Sequence, residues 1–128
     1  MTVSFNHTIV YATDKHRSAE FLANVLGLPK PQPTWSFMTV FVDQGVALDF
    51  DAADGPITPQ HYAFLVSEED FDGIFGRIQA GGISYWADPA RSRPQQINHN
   101  DGGRGVYFAD PDGHFLEAIT RPYGSGAT

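Results

Sequence analysis

An internal repeat constrains this chain more than any other feature. Shifting the sequence by 54 positions lays His7 on His61, Val10 on Phe64, Asp14 on Glu68, Phe21 on Phe75 and Gly27 on Gly81. Each copy opens on a short run rich in β-branched and aromatic residues, FNHTIVYA and HYAFLV, which reads as a strand. A helix follows in both. In TDKHRSAEFLANVLGL, residues Phe21, Leu22, Val25 and Leu26 recur at helical spacing and Gly27 stops the run. In SEEDFDGIFGRIQAGG, Ser67 and Asp70 have capping-box spacing, and Phe71, Ile74, Phe75 and Ile78 form an apolar stripe ended by Gly81 and Gly82. That aromatic stripe is core.

The second halves align at a different offset, because a long loop lengthens only the second copy. Gly45 in VFVDQGVALDF then lies on Gly113 in VYFADPDGHFLEAI, each at a turn between two apolar strands. WSFMTVFV and ISYWA supply the strand expected after each helix. The expectation is an α+β fold of two strand-helix-strand-strand-strand modules in a single domain spanning residues 1–128. Module 1 covers about 1–58 and module 2 about 59–122, with a short flexible C-terminal tail. A chain of 128 residues buries a real core without covalent staples.

Charge and composition remove whole classes of partner. Eight Lys and Arg against fifteen Asp and Glu leave a net charge of -7, which repels phosphate backbones and anionic lipid, so neither nucleic acid nor membrane is expected. No run approaches the roughly 18 apolar residues of a membrane helix, and MTVSFNHTIVYATD lacks the basic start and apolar core of a signal peptide, so a cytoplasmic location is expected. With no cysteine, any metal must be held by His, Asp and Glu. Arg91, Arg93 and Arg104 cluster in DPARSRPQQINHNDGGR, a stretch without helical or strand periodicity. It reads as a long loop, either a solvated surface segment or a lid that meets an anionic small molecule.

The carboxylate of Glu117 stands in the middle of the apolar run FLEAI. Unpaired among apolar neighbours it would cost several kcal/mol, so it needs a cation, strong hydrogen bonds or solvent. The repeat offers the first. Each copy carries one His on its first strand, His7 and His61, and one carboxylate four residues past the turn glycine, Asp49 and Glu117. Two imidazoles and one carboxylate converging from adjacent strands would make a 2-His-1-carboxylate triad that leaves metal positions open. His16 on the polar side of its helix, and His99 and His114 beside turns, are expected at the surface, although His99 could swing over a site if its loop is a lid. Tyr107 reads as a core aromatic with a paired hydroxyl, or else as an acid-base or orienting group beside the metal.

The stretches NHTIVYATDKHRSAEFLANVLGLP, HYAFLV and GRGVYFADPDGHFLEAI resemble the vicinal oxygen chelate superfamily of glyoxalase, bleomycin-resistance and extradiol-dioxygenase proteins over nearly the whole chain. The resemblance implies two βαβββ modules whose curved mixed sheets enclose a metal site, with His7, His61 and Glu117 at the ligand positions. Asp49 falls where glyoxalase-type members carry a Glu as fourth ligand. Asp is one methylene shorter, so it should stop about 1.5 Å short of a metal that Glu117 reaches. Three ligands therefore favour an extradiol-type dioxygenase acting on a small vicinal-diol aromatic, with Fe(II) preferred over Mn, Ni or Zn. Tyr107 would be catalytic, and Arg91, Arg93, Arg104, His99 and Asp49 would contact substrate. The alternatives are a glyoxalase-like isomerase, lyase or thiol transferase that uses the metal as a Lewis acid, and a metal-free drug-binding resistance protein. A homodimer is implied as well.

Overall fold

In the computed structural model the described residues run from 2 to 126, and they divide between two units, Met1–Thr58 and Pro59–Thr128. The first unit contains β1 (His7–Ala12), α1 (Lys15–Leu26), β2 (Gln32–Thr34), β3 (Phe37–Phe41) and β4 (Ala47–Ala52). The second repeats the plan with β5 (His61–Leu65), α2 (Glu68–Ala80), β6 (Tyr85–Trp86), β7 (Gly105–Ala109) and β8 (Phe115–Ile119). The sheets run β1-β4-β3-β2 and β5-β8-β7-β6. In each, the first strand lies parallel to the last, and the other pairings are antiparallel.

The repeat holds to the residue. Ile9 pairs with Asp49 across β1 and β4, and Ala63 pairs with Glu117 across β5 and β8. Each carboxylate therefore lies opposite the position two residues beyond its histidine. Since alternate residues of a strand share a face, histidine and carboxylate emerge on the same side of their sheet.

Helix boundaries follow the local chemistry. The Asp14 carboxylate accepts from the backbone N–H groups of His16 and Arg17, and Gly27 closes α1 at φ 70, a left-handed conformation that favours glycine. Ser67 Oγ accepts from the Asp70 N–H at 3.0 Å, as its spacing predicts. Glu68, Glu69 and Asp70 place negative charge on the first turn of α2, where the helix dipole favours it. Val10, Ala12, Val40, Leu48 and Phe50 are buried with Leu22, Ala23 and Val25 of α1. Val106, Phe108, Leu116 and Ala118 are buried in the second unit, as are Phe71, Ile74 and Ile78 of α2. Helix packing thus takes one face of each sheet and leaves the other for chemistry.

Three expectations change. The strand after α1 is Gln32–Thr34, and WSFMTVFV begins with a turn at Trp35 (φ 54) before β3. ISYWA contributes only Tyr85 and Trp86 to a strand. His114, expected at the surface, is 1% exposed. The turn that precedes it explains the burial. Asp110 Oδ1 accepts from the N–H groups of Asp112 and His114 at 2.9 Å each, while Gly113 adopts φ 87. That fold of the chain turns the imidazole inward, where its Nδ1 accepts the Gln60 N–H at 2.9 Å and fixes the entry to β5.

His114→Leu should accordingly strand the Gln60 N–H and cost about 1–3 kcal/mol, read as a lower denaturant midpoint. Metal content, measured by elemental analysis, should stay at the wild-type level.

Candidate metal centre

In the second unit, β5 and β8 bring His61 against Glu117. His61 Nδ1 lies 2.9 Å from the Phe115 carbonyl. A carbonyl only accepts, so Nδ1 carries the proton and Nε2 is the free nitrogen. Nε2 in turn points at Glu117 Oε1, 3.2 Å away. In the neutral ring these are two lone-pair atoms facing each other, an arrangement that a proton or a cation must bridge. Two donors about 2.1 Å from a first-row metal and at right angles to one another stand about 3 Å apart, so the spacing fits a shared ion. A metal-binding histidine characteristically gives its other N–H to a carbonyl or carboxylate, as His61 does here. Access is one-sided: the His61 side chain is 48% exposed and that of Glu117 1%.

The remaining capacity of the Glu117 carboxylate goes to a phenol. Tyr123 Oη lies 2.6 Å from Oε1 and 2.5 Å from Oε2, and 3.0 Å from Tyr107 Oη. A carboxylate only accepts, so Tyr123 donates to Glu117 and is left to accept from Tyr107. Burial raises both phenols above the usual tyrosine range, with Glu117 adding in the same direction, and each remains a donor at neutral pH. The tail expected to be flexible thus carries, within its described part, a residue that touches the candidate ligand. Residues 127–128 of that tail lie outside the described residues.

An aromatic wall adjoins the pair. The Tyr107 ring stacks on Phe115 at 5.4 Å and on His61 at 6.1 Å, and Trp86 lies 5.9 Å from Phe115. The Arg91 guanidinium sits 4.6 Å from the Phe115 centroid and 5.0 Å from that of Trp86. Its loop is well anchored, because the Asp88 carboxylate accepts from the N–H groups of Ser92 and Arg93. Among the described residues no carboxylate forms an ion pair with Arg91.

The other loop residues separate from it. Arg104 does not join a substrate-facing cluster: its guanidinium pairs with Glu68 and Asp72 of α2 at 2.8 Å each and lies 4.5 Å from Phe71. The alternation along β7 accounts for this, since residue 104 falls on the helix side with Val106 while Tyr107 faces the carboxylate. Arg93 and His99 are exposed, and no hydrogen bond links either side chain to His61 or Glu117 among the described residues.

In the first unit, His7 is exposed and its Nδ1 lies 2.6 Å from the Asn6 side-chain oxygen. That contact occupies one ring nitrogen and leaves Nε2 available, as in His61. His7 lines a cleft of about 260 Å³ with Thr39, Asp49, Trp35, Phe37 and Phe41. Asp49 is buried and accepts from the Thr39 hydroxyl at 2.7 Å. Among the described residues no three His, Asp or Glu side chains form a metal-holding group. The geometry shown is therefore a two-donor pair in one unit and a histidine beside a carboxylate-bearing cleft in the other.

The paired βαβββ units are the architecture that the vicinal oxygen chelate resemblance implies. Residues 4–118 match the Glyoxalase/Bleomycin resistance protein/Dioxygenase superfamily, and the chain belongs to it. It is 33% identical over 124 residues to the glutathione transferase FosA of Serratia marcescens, covering 91% of this chain and 80% of that protein. Two solved structures align more closely. Oxidase ChaP-H1 is 60% identical with a TM-score of 0.94, over 96% of this chain and 99% of that one. Oxidase ChaP-H2 is 62% identical with a TM-score of 0.95, over 99% of this chain and 100% of that one.

His61→Ala and Glu117→Ala should each reduce bound divalent metal sharply, about 10-fold or more in affinity, whereas His16→Ala should leave it unchanged. Metal addition should also release protons, detectable with a pH indicator in weak buffer. Undiminished metal content in both variants would remove the pair from any coordination role.

Proposed function

We propose that this chain is a metal-dependent oxygenase of extradiol type, acting on a small aromatic substrate with adjacent hydroxyls. The observation that carries the reading is the His61 Nε2 to Glu117 Oε1 pair at 3.2 Å, with Nδ1 tied to the Phe115 carbonyl. His61 and Glu117 are two ligands and His7 is the third, supplied by this chain or by a second copy in a homodimer. Two neutral imidazoles and one carboxylate leave a divalent ion at net charge +1 with positions open. These three residues would hold a ferrous ion, and the chemistry it would supply is the joining of O2 to a vicinal-diol aromatic.

The protein groups do the rest. Tyr107, protonated and beside the carboxylate, orients the substrate and manages its proton. Asp49, fixed by Thr39, accepts a hydrogen bond from a substrate hydroxyl. The aromatic wall of Tyr107, Phe115 and Trp86 excludes water and favours a planar ring. Arg91 meets an anionic substituent, and the segment bearing Arg93 and His99 covers the bound molecule. The likeness to proteins named oxidases, at 60% and 62% identity, supports oxygen chemistry. No helix among the described residues is long and apolar enough to cross a membrane.

A second reading is thiol transfer, with the metal as Lewis acid, and it is favoured by the 33% identity to a glutathione transferase. An anionic electrophile would need cations around it. The free guanidinium of Arg91 offers one, and Arg104 is committed to α2.

Protein purified without oxygen and loaded with Fe(II) should consume O2 and convert catechols to yellow ring-cleaved products. Glutathione conjugation of an anionic electrophile, without O2 uptake, would establish the second reading instead. Asp49→Asn should retain metal with a modest loss of turnover. Asp49→Glu should depress ring cleavage while metal binds equally or more tightly, by filling a position the reaction needs. Loss of metal in Asp49→Asn would make Asp49 a ligand and favour Lewis-acid chemistry.

A further inference from the structure

We propose that Tyr123 is a positioning residue that keeps Glu117 a one-oxygen donor; the inference rests on the reading of His61 and Glu117 as metal ligands. The Glu117 carboxylate is 1% exposed, so water does not engage its spare oxygen. Oε1 is the oxygen that faces His61 Nε2. The Tyr123 hydroxyl stands 2.6 Å from Oε1 and 2.5 Å from Oε2, across the mouth of the carboxylate. An ion chelated by both oxygens would have to occupy that same place.

Core packing does not explain this placement, because Tyr123 is 62% exposed and only its hydroxyl is directed at a buried group. The turn that presents it is closed locally, with the Ser125 N–H and Oγ both donating to the Pro122 carbonyl at 3.1 and 2.6 Å. Tyr107 braces the phenol from the other side at 3.0 Å. With the chelating position filled by a hydroxyl, the carboxylate offers the His61 side a single oxygen. A one-oxygen donor takes one metal position where a chelating carboxylate takes two, and the position spared is available to substrate or O2.

Cobalt(II) reads this directly, since its visible absorption weakens as further oxygens coordinate. Tyr123→Phe removes the hydroxyl alone from an exposed ring. Its Co(II) spectrum should shift and weaken relative to the wild type, with a roughly 10- to 100-fold lower turnover. Tyr107→Phe, which removes only the brace, should move the spectrum less and in the same direction. A Tyr123→Phe spectrum identical to the wild type overturns the positioning role. If Glu117→Ala at the same time loses Co(II), the metal reading stands without it. Failure of the wild type to bind Co(II) overturns both.

Discussion

A carboxylate buried in a strand is the constraint around which the second unit is arranged. Glu117 is 1% exposed on the face it shares with Tyr107 and His61, and a lone negative charge there would be intolerable. The unit answers with the phenol of Tyr123 past the last strand and, behind it, Tyr107 on β7, while the imidazole of His61 on β5 leaves a place for a proton or cation beside Oε1. Each of those contacts fixes a side chain that could otherwise choose among rotamers. Satisfying the charge and building a site are the same structural event.

Duplication explains why the two units resemble each other, and asymmetry explains why they differ in chemistry. Asp49 and Glu117 occupy equivalent register positions. Yet the shorter Asp49 turns to the Thr39 hydroxyl on its neighbouring strand, whereas Glu117 reaches the histidine of its own unit. One methylene is enough to separate a carboxylate held by its own sheet from one aimed across it. The insertion confined to the second copy adds Arg91 and the Asp88-anchored turn beside the aromatic wall. One unit carries a cleft and the other a cationic rim.

Much of this was legible in the sequence, and the exceptions have physical causes. Both helices, the Gly27 stop, the Ser67 cap and the equivalence of the two carboxylates could be read from spacing, because periodicity and capping are local signals. The strand Gln32–Thr34 was hidden by Pro31 and Pro33, which disguise an edge strand as a loop. His114 was misplaced because its burial depends on the backbone bonds that Asp110 accepts, and Arg104 because the phase of β7 was needed to know which face it takes. Tyr123 escaped entirely. The run RPYGSG has no periodicity, and only the Pro-Tyr-Gly turn signal hinted that an aromatic ring was being held in a defined direction.

The parallel pairing of β5 with β8 has a temporal consequence. His61 and Glu117 are 56 residues apart, and all of α2, β6, the long loop and β7 lie between them. Their contact closes one of the longest loops in the unit, and its entropy cost is correspondingly among the larger ones there. A growing chain would carry His61 for most of the synthesis of this unit with no carboxylate to face. The two-donor pair therefore cannot form until the final strand of the unit has been made.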